Sequence, residues 1–183
     1  MVATLKGSVG KMNELLARLA PTPDQRAAKP EPTELRPLVA SAIAANRRDR
    51  EVMMLGDGNL TAMADPLLLE QAIGHLVLNA VDASKPGQPV TVRMDGDEDR
   101  VMIVVTDVGT GMDAEFIRTR LFQPFASTKE SGFGLGAYEA HALLAAMSGR
   151  LEVESLVGEG TKFTLFLPGA VVEPMPSYER KIA

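Results

Sequence analysis

The chain has 183 residues, of which 45% are hydrophobic and 23% are charged, a composition typical of a soluble globular domain with a sizeable core. Its formal net charge of -5 argues against sequence-independent binding to nucleic acid, because such binding needs a cationic surface. The absence of cysteine excludes disulfides, thiolate metal sites and a cysteine nucleophile, and two histidines are too few for a histidine-built metal site.

The first residues predict a helix that is set apart from the rest of the chain. Apolar side chains between Val2 and Leu19 follow one another at steps of three and four residues, which is the spacing of a heptad seam. Such a helix either packs on its own domain or is the end of a longer dimerising helix. The four prolines at 21–32 predict a stiff, non-helical linker, which favours the second interpretation and assigns 1–20 to a dimerisation helix.

From residue 33 onward, helical and extended patterns alternate. Helices are predicted at 36–48, 66–84, 113–120 and 135–147. A glycine-containing turn separates the first two of the predicted strands, which cover 51–55, 60–64, 89–94, 101–106, 151–155 and 161–167. Asp65 and Pro66 are well placed as the N-cap and the first residue of the second helix. The domain is thus expected to cover 33–168, and the tail 169–183 to be flexible.

The first segment with chemical potential is HLVLNAVDAS, inside the second predicted helix. Asn79 there is an amide on a mostly apolar helix, so its side chain needs hydrogen-bond partners. Taken alone, such an asparagine would cap or bridge neighbouring elements.

The second segment is DVGTGM at 107–112, directly after an apolar strand. Asp107 supplies an ionised acceptor, and Gly109 and Gly111 allow the loop to reach positive φ. Two interpretations follow: a tight turn, or a carboxylate that accepts a hydrogen bond from the exocyclic amine of a base while the loop lies against the ring.

Two further segments follow in the chain. LFQPF at 121–125 places two aromatic side chains around a proline, which could form a hydrophobic plug beneath a loop. GFGLG at 132–136 opens the last predicted helix, where backbone N–H groups and the helix dipole can approach a phosphate. Glycine clusters also simply start helices, so this segment alone is a weak signal.

In this order the four segments resemble the N box, the first glycine box, the F box and the second glycine box of sensor histidine kinases of two-component systems. GEGTKF at 158–163 resembles the last conserved turn of the same ATP-binding catalytic domain. The resemblance covers 33–167 and implies the α/β (α+β) Bergerat or GHKL fold. That fold is a two-layer sandwich of a mixed, about five-stranded sheet and three helices, here preceded by a helical stub.

Two parts of the chain extend the resemblance. The stub at 1–19 is similar to the end of the second helix of the family's dimerisation and phosphotransfer domain. The stretch at 124–151, from PFASTKE to SGRL, looks most like kinases of the bacterial exosortase (PEP-CTERM) system.

The resemblance implies ATP and Mg²⁺ as ligands and assigns five residues to the base. Asp107 would read the exocyclic amine of adenine, helped by a water molecule and by the hydroxyl of Thr161. Gly109 and Gly111 would let the loop approach the base, and Met112 would pack against it.

On the phosphate side, Asn79 would be the magnesium ligand, since Mg²⁺ prefers oxygen donors. Lys129 in the lid would be a cation for the terminal phosphate, although an ordinary solvated lysine is the alternative. Phe122 and Phe125 would anchor the base of the lid without touching the nucleotide. The second glycine segment would bring backbone N–H groups to the phosphates through Gly132, Gly134, Leu135 and Gly136.

Two residues depart from the family pattern. His75 lies one turn before Asn79, where most sensor kinases carry asparagine and related ATPases carry a general-base glutamate. It would either position or deprotonate a phosphate-bound water, or pack beside the phosphates with no proton role. Phe133 stands between Gly132 and Gly134, where a small hydroxyl residue is commoner. This departure concerns the closed conformation of the lid and not nucleotide binding. His141, within a helix, is expected to be structural or exposed to solvent.

The implied activity is transfer of the γ-phosphoryl group of Mg·ATP to a histidine on the dimerisation domain, for relay to a response regulator. That acceptor is expected outside this chain, and the full-length protein is expected to be a homodimer. No apolar run is long enough to cross a bilayer and no leader opens the chain, so a cytoplasmic domain is expected. Any membrane anchor would lie in segments outside it.

Three rival functions share the nucleotide site. A nucleotide-binding module without catalysis is the strongest of them. A protein-serine kinase of the anti-sigma type would lack the heptad helix and the Pro-rich joint. A topoisomerase-like or mismatch-repair ATPase would need glutamate in place of His75.

Overall fold

The structure is a computed structural model, and it describes residues 27–56, 60–127 and 134–170. Two sheets and four helices make up this part of the chain. The strands are β1 (Glu31–Glu34), β2 (Val52–Leu55), β3 (Thr61–Ala64), β4 (Val90–Gly96), β5 (Arg100–Asp107), β6 (Arg150–Leu156) and β7 (Gly160–Pro168). The helices are α1 (Leu35–Asn46), α2 (Pro66–Ala83), α3 (Ala114–Thr119) and α4 (Gly136–Ala146).

The larger sheet has five strands in the order β2-β4-β5-β7-β6. β2 runs parallel to β4, and the other neighbouring strands run antiparallel, so the sheet is mixed. Along β5, buried and partly exposed side chains alternate, which is the pattern of a strand in a sheet with one covered face. The predicted two-layer α/β sandwich with a mixed five-stranded sheet is confirmed.

The helices cover one face of this sheet. α2 packs between α1 and α4 and contacts the central strands. Its apolar residues recur every three or four positions, so one broad side of the helix is buried. The largest fully buried side chains from helices and sheet form one core, among them Leu35, Leu69, Ile73, Leu76, Ile103, Leu143, Leu144 and Leu165.

The start of α2 is fixed by the residues that the sequence predicted. Asp65 is buried, and its Oδ1 accepts hydrogen bonds from the N–H groups of Leu67 and Leu68 at 3.1 and 3.3 Å. Its Oδ2 accepts the N–H of Lys29 at 3.0 Å. The carboxylate therefore satisfies two orphan donors of the helix and also anchors the segment that leads into β1.

The strand β1 was not predicted, and it begins inside the stretch assigned to the linker 21–32. Among the described strands it pairs only with β3, antiparallel, so it is an edge strand on which Pro32 needs no N–H donor. The buried hydroxyl of Thr33 also donates to the carbonyl of Ala64 at 3.0 Å. β2 and β3 belong to different sheets, so these two strands do not pair as a hairpin.

The segments that flank the predicted domain 33–168 were assigned to a helix with a linker and to a flexible tail. The helix predicted at 1–19 and the tail from residue 171 lie outside the described residues. Gly169 and Ala170, predicted as the start of the flexible tail, donate to the carbonyls of Asp99 and Thr61 at 2.9 and 3.0 Å. Described residues on both sides of the predicted bounds 33 and 168 therefore bond to the domain. Within the described part of the chain, no helix has the length and apolar character needed to cross a bilayer.

Candidate functional site

A cavity of about 450 Å³ lies between α2, the start of α4 and the ends of β5 and β7. It brings together predicted site residues that are far apart in the sequence. Those that line it are His75, Asn79, Asp107, Gly111, Met112, Gly134, Leu135, Gly136 and Thr161.

One end of the cavity is formed by a pair of residues on neighbouring strands. Asp107 is the last residue of β5 and lies directly opposite Thr161 of β7 in the strand register. Both residues are buried, with 5% and 7% of their surface exposed. The Oδ1 atom of Asp107 accepts the N–H of Gly109 at 2.8 Å, which fixes the orientation of the carboxylate. A buried carboxylate beside a hydroxyl can receive the donors of a polar ring edge.

The loop after β5 is clamped by protein backbone on two sides. A Cβ atom on Gly109 would lie 2.3 Å from the carbonyl oxygen of Ala83 at the end of α2. Gly111 has φ of 63°, and a Cβ atom there would lie 1.9 Å from the carbonyl oxygen of Leu156. Both positions therefore require glycine, because backbone carbonyl groups lie where a Cβ atom would be. Gly109 itself does not line the cavity.

The other end of the cavity is formed where α4 begins against α2. A Cβ atom on Gly136, the first residue of α4, would lie 3.2 Å from both Oδ1 and Nδ2 of Asn79. Gly134 has φ of 67°, and a Cβ atom there would lie 2.4 Å from the carbonyl oxygen of Ala126. These glycines bring the N-terminus of α4 close to Asn79, and that terminus carries N–H groups without intrahelical acceptors.

His75 contacts an acidic residue of α4. Its Nε2 atom lies 3.0 Å from Oε2 of Glu139, and each side chain is 25% exposed. The two atoms are close enough for an ion pair but are not aligned for a hydrogen bond. The contact joins α2 to α4 at the cavity wall, so the structure gives His75 a packing partner that the sequence did not indicate.

Several lining residues were missed by the sequence analysis. Arg48 follows α1, and its Nη1 atom lies 2.5 Å from Oδ1 of Asp82. Asp82 lies three residues after Asn79 on α2, so helical spacing could have indicated it. Arg48 has no such local signal, yet among the described lining residues it is the one lysine or arginine. The other missed residues are Leu78, Ala83, Thr110, Phe116, Leu121, Ala126, Ser127, Ala137, Glu139 and Phe163.

The remaining predicted site residues are not among the lining residues that the structure describes. Phe122 and Phe125 do not line the cavity, and the Phe122 ring stacks on His141 with ring centroids 4.6 Å apart. Their role at the base of the lid stays a prediction. Lys129, Gly132 and Phe133 lie outside the described residues.

The cavity has the donors and acceptors of a nucleotide site. One end offers a buried carboxylate and a hydroxyl, which suit the edge of a base. The other end offers an amide, a cation and a helix N-terminus, which suit phosphates. Among the residues that the structure describes, no cluster of three acidic, histidine or cysteine side chains could hold a metal ion alone.

The chain is similar to a known protein family and to several sensor histidine kinases. Residues 64–171 match the family described as histidine kinase-, DNA gyrase B- and HSP90-like ATPase. The sensor histidine kinase ZraS of Escherichia coli O157:H7 is 33% identical over 133 residues, which cover 72% of this chain and 29% of ZraS. The chain spans less than a third of the length of the curated relatives it matches.

Solved structures agree with this match. The mycobacterial sensor histidine kinase MprB superposes with a TM-score of 0.68 at 25% identity, covering 79% of this chain and 100% of that one. Full-length ShkA in complex with AMPPNP gives a TM-score of 0.67 at 24% identity, covering 94% of this chain and 39% of that one. The similarity to ShkA shows the fold alone.

Proposed function

The chain belongs to the histidine kinase-, DNA gyrase B- and HSP90-like ATPase family and contains the ATP-binding catalytic domain of a sensor histidine kinase, and we propose that it phosphorylates a histidine. The donor is ATP, and the acceptor lies on a dimerisation domain. The observation that carries the proposal is the cavity, in which Asp107 and Thr161 face one end and Asn79 the other. Relay of the phosphoryl group to a response regulator would complete two-component signalling.

At the base end, we assign Asp107 to the exocyclic amine of adenine. The bond from the Gly109 N–H occupies Oδ1, and the register places the Thr161 hydroxyl on the neighbouring strand. Met112 lines the cavity beside them and is positioned to pack on the ring. Burial strengthens these polar contacts, because water competes poorly there.

The residues at the phosphate end fit a magnesium ion. Mg²⁺ prefers oxygen donors and keeps waters and phosphate oxygens as its other ligands, so a single amide oxygen from the protein is sufficient. Asn79 lines the cavity beside Gly136 and would supply that oxygen. When bound, the ion would neutralise charge on the phosphates.

The proposed reaction moves one phosphoryl group. The bond between the γ-phosphorus and the bridging oxygen breaks, ADP leaves with the electron pair, and a bond from the phosphorus to an imidazole nitrogen forms. The imidazolium then loses its ring proton to solvent. The protein positions the γ-phosphate and neutralises its charge, for which Arg48 and Lys129 are the candidate cations.

His75 is assigned a positioning role at this end. Its contact with Glu139 supports a passive part in joining α2 to α4 beside the phosphates. The glutamate that a topoisomerase-like ATPase would need is not at position 75, although Glu139 brings a carboxylate to the same end of the cavity.

Replacing Asn79 by alanine should reduce ATP affinity measured with Mg²⁺ by about ten-fold, the equivalent of about 1.4 kcal/mol. Affinity measured in EDTA should change little, because only the metal-bridged contact uses this side chain. Isothermal titration calorimetry under both conditions makes the comparison. Asn46→Ala is the matched control, since that amide donates to the Ala42 carbonyl on α1 and does not line the cavity. Equal losses in both buffers would identify Asn79 as a structural amide.

The phosphotransfer itself gives a second prediction. Incubated alone with γ-labelled ATP, this chain should form no stable phosphohistidine. His75 is part of α2 and contacts Glu139 of α4, and His141 of α4 stacks on Phe122, so neither is a mobile acceptor for the γ-phosphate. A dimerisation domain fused ahead of residue 1 and carrying its own histidine should become labelled.

An alkaline quench is required in this assay, because phosphohistidine survives base and is lost in acid. Label mapped to His75 or His141 would contradict the proposal that a dimerisation domain supplies the acceptor histidine. ATP binding without label on the fused domain would favour the non-catalytic module, and label on serine would favour the serine kinase.

A further inference from the structure

Ser155 of β6 lies in the same cross-strand row as the two residues at the base end. The register pairs Asp107 with Thr161 and Thr161 with Ser155. Side chains that oppose one another across neighbouring strands project from the same face of a sheet. The row therefore runs from the carboxylate through the threonine hydroxyl to the serine hydroxyl.

The hydroxyl of Ser155 has three close polar neighbours. Its Oγ atom lies 2.9 Å from the backbone nitrogen of Met112 and 2.7 Å from the carbonyl oxygen of Gly160. It also lies 2.9 Å from Oγ1 of Thr161. A serine hydroxyl has one proton to donate and two lone pairs that can accept.

The chemistry of these neighbours decides where each proton lies. The backbone N–H of Met112 can only donate, so it occupies one lone pair of Ser155. The carbonyl of Gly160 can only accept, so it receives the proton of Ser155 at the shortest of the three distances. The contact between the two hydroxyls must then be donated by Thr161, which fills the second lone pair of Ser155.

This arrangement determines what Thr161 offers to the cavity. Its single proton points to Ser155, so its oxygen presents only lone pairs to a ligand. Asp107, as a carboxylate, also only accepts. The base end is consequently an edge of two acceptors, which matches the two N–H bonds of an exocyclic amine, directly or through one water. A ring with a carbonyl at the same place would put oxygen against oxygen.

We propose that Ser155 is a positioning residue that sets the base selectivity of the cavity by fixing the direction of the Thr161 hydroxyl. The inference rests on the proposed nucleotide site and adds to it the residue that selects a 6-amino over a 6-oxo purine. Ser155 acts through Thr161 and need not touch the base. Its bond to the Met112 N–H also holds the loop that lies against the ring.

The test compares the affinities of ATP and ITP, which carry an amine and a carbonyl at the same ring carbon. Wild type should prefer ATP. In Ser155→Ala, the Thr161 hydroxyl is released and can turn its proton to the carbonyl of ITP. The ratio of the two affinities should then fall by roughly three- to ten-fold, the range for one neutral hydrogen bond.

The control variant is Ser155→Thr, which keeps the hydroxyl and should keep the wild-type ratio. An alanine variant that weakens ATP and ITP equally would mean that Ser155 is only structural, and the inference would be wrong. Thermal unfolding checks each variant. Thr161→Val gives an independent test, because removing the acceptor should weaken ATP more than ITP, and equal weakening would overturn the proposal. A wild-type chain that binds neither nucleotide would instead refute the proposed function.

Discussion

Replacing Asp107 by asparagine is expected to weaken the binding of ATP and ADP alike, by roughly ten- to a hundred-fold. The change removes a charged acceptor at the proposed base end of the cavity and leaves the proposed phosphate end untouched. One charge-assisted hydrogen bond contributes about 1.5–3 kcal/mol, which corresponds to that range of affinity. Titration calorimetry with both nucleotides measures the effect.

The asparagine variant keeps the size of the side chain and an oxygen that can accept the Gly109 N–H, so the fold should persist. Asp95→Asn is the matched control, because that carboxylate is exposed on β4 and pairs with Arg93 away from the cavity. An unchanged affinity for ADP in Asp107→Asn would remove the adenine assignment.

Replacing Gly111 by alanine should have the larger effect on binding, about a hundred-fold or more, or roughly 2.7 kcal/mol. A Cβ atom there would lie 1.9 Å from the Leu156 carbonyl oxygen, which is backbone and cannot rotate away. The loop would have to move, and Met112 and the Asp107 carboxylate would lose their places at the proposed base end of the cavity. The positive φ adds about 1–2 kcal/mol of backbone strain.

Gly87→Ala is the control that separates backbone strain from the steric clash of the added Cβ atom. Gly87 also has a positive φ, of 82°, but a Cβ atom there would meet nothing within 4 Å. This control should lower the free energy of unfolding by the strain alone and leave nucleotide affinity unchanged. Similar nucleotide affinities in the two variants would show that the close approach of the Leu156 carbonyl to Gly111 has no part in nucleotide binding.

The parts of the fold that the sequence predicted correctly are those determined locally. The apolar spacing of α2 and the Asp65–Pro66 pair at its start are short-range signals, and both hold in the structure. The order of the motif segments also identified the family, because each segment has a chemical requirement that can be read within a few residues.

The parts that were missed depend on contacts between distant segments. β1 has four residues and contains a proline, so its strand character comes only from pairing with β3. The pairing of Asp107 with Thr161 depends on the register of two strands separated by more than fifty residues, which periodicity cannot give. Arg48 lines the cavity from the loop after α1, and this contact between distant segments has no local sequence signal either.

The family match leaves the narrower resemblance to kinases of the exosortase system as a prediction. The sequence left two roles open for His75, and its contact with Glu139 supports the proposed positioning role. At the base end, the N–H of Gly109 donates to Asp107, and the hydroxyl of Ser155 contacts the carbonyl of Gly160 and the hydroxyl of Thr161.

A crystal structure of this chain with Mg²⁺ and a non-hydrolysable ATP analogue tests the account most directly. We expect the exocyclic amine of adenine within about 2.7–3.2 Å of an Asp107 carboxylate oxygen or one bridging water away. The phosphates should lie between Asn79 and the N-terminus of α4, with the amide oxygen on the metal. A nucleotide bound outside this cavity, or one whose amine points away from Asp107, would contradict the account.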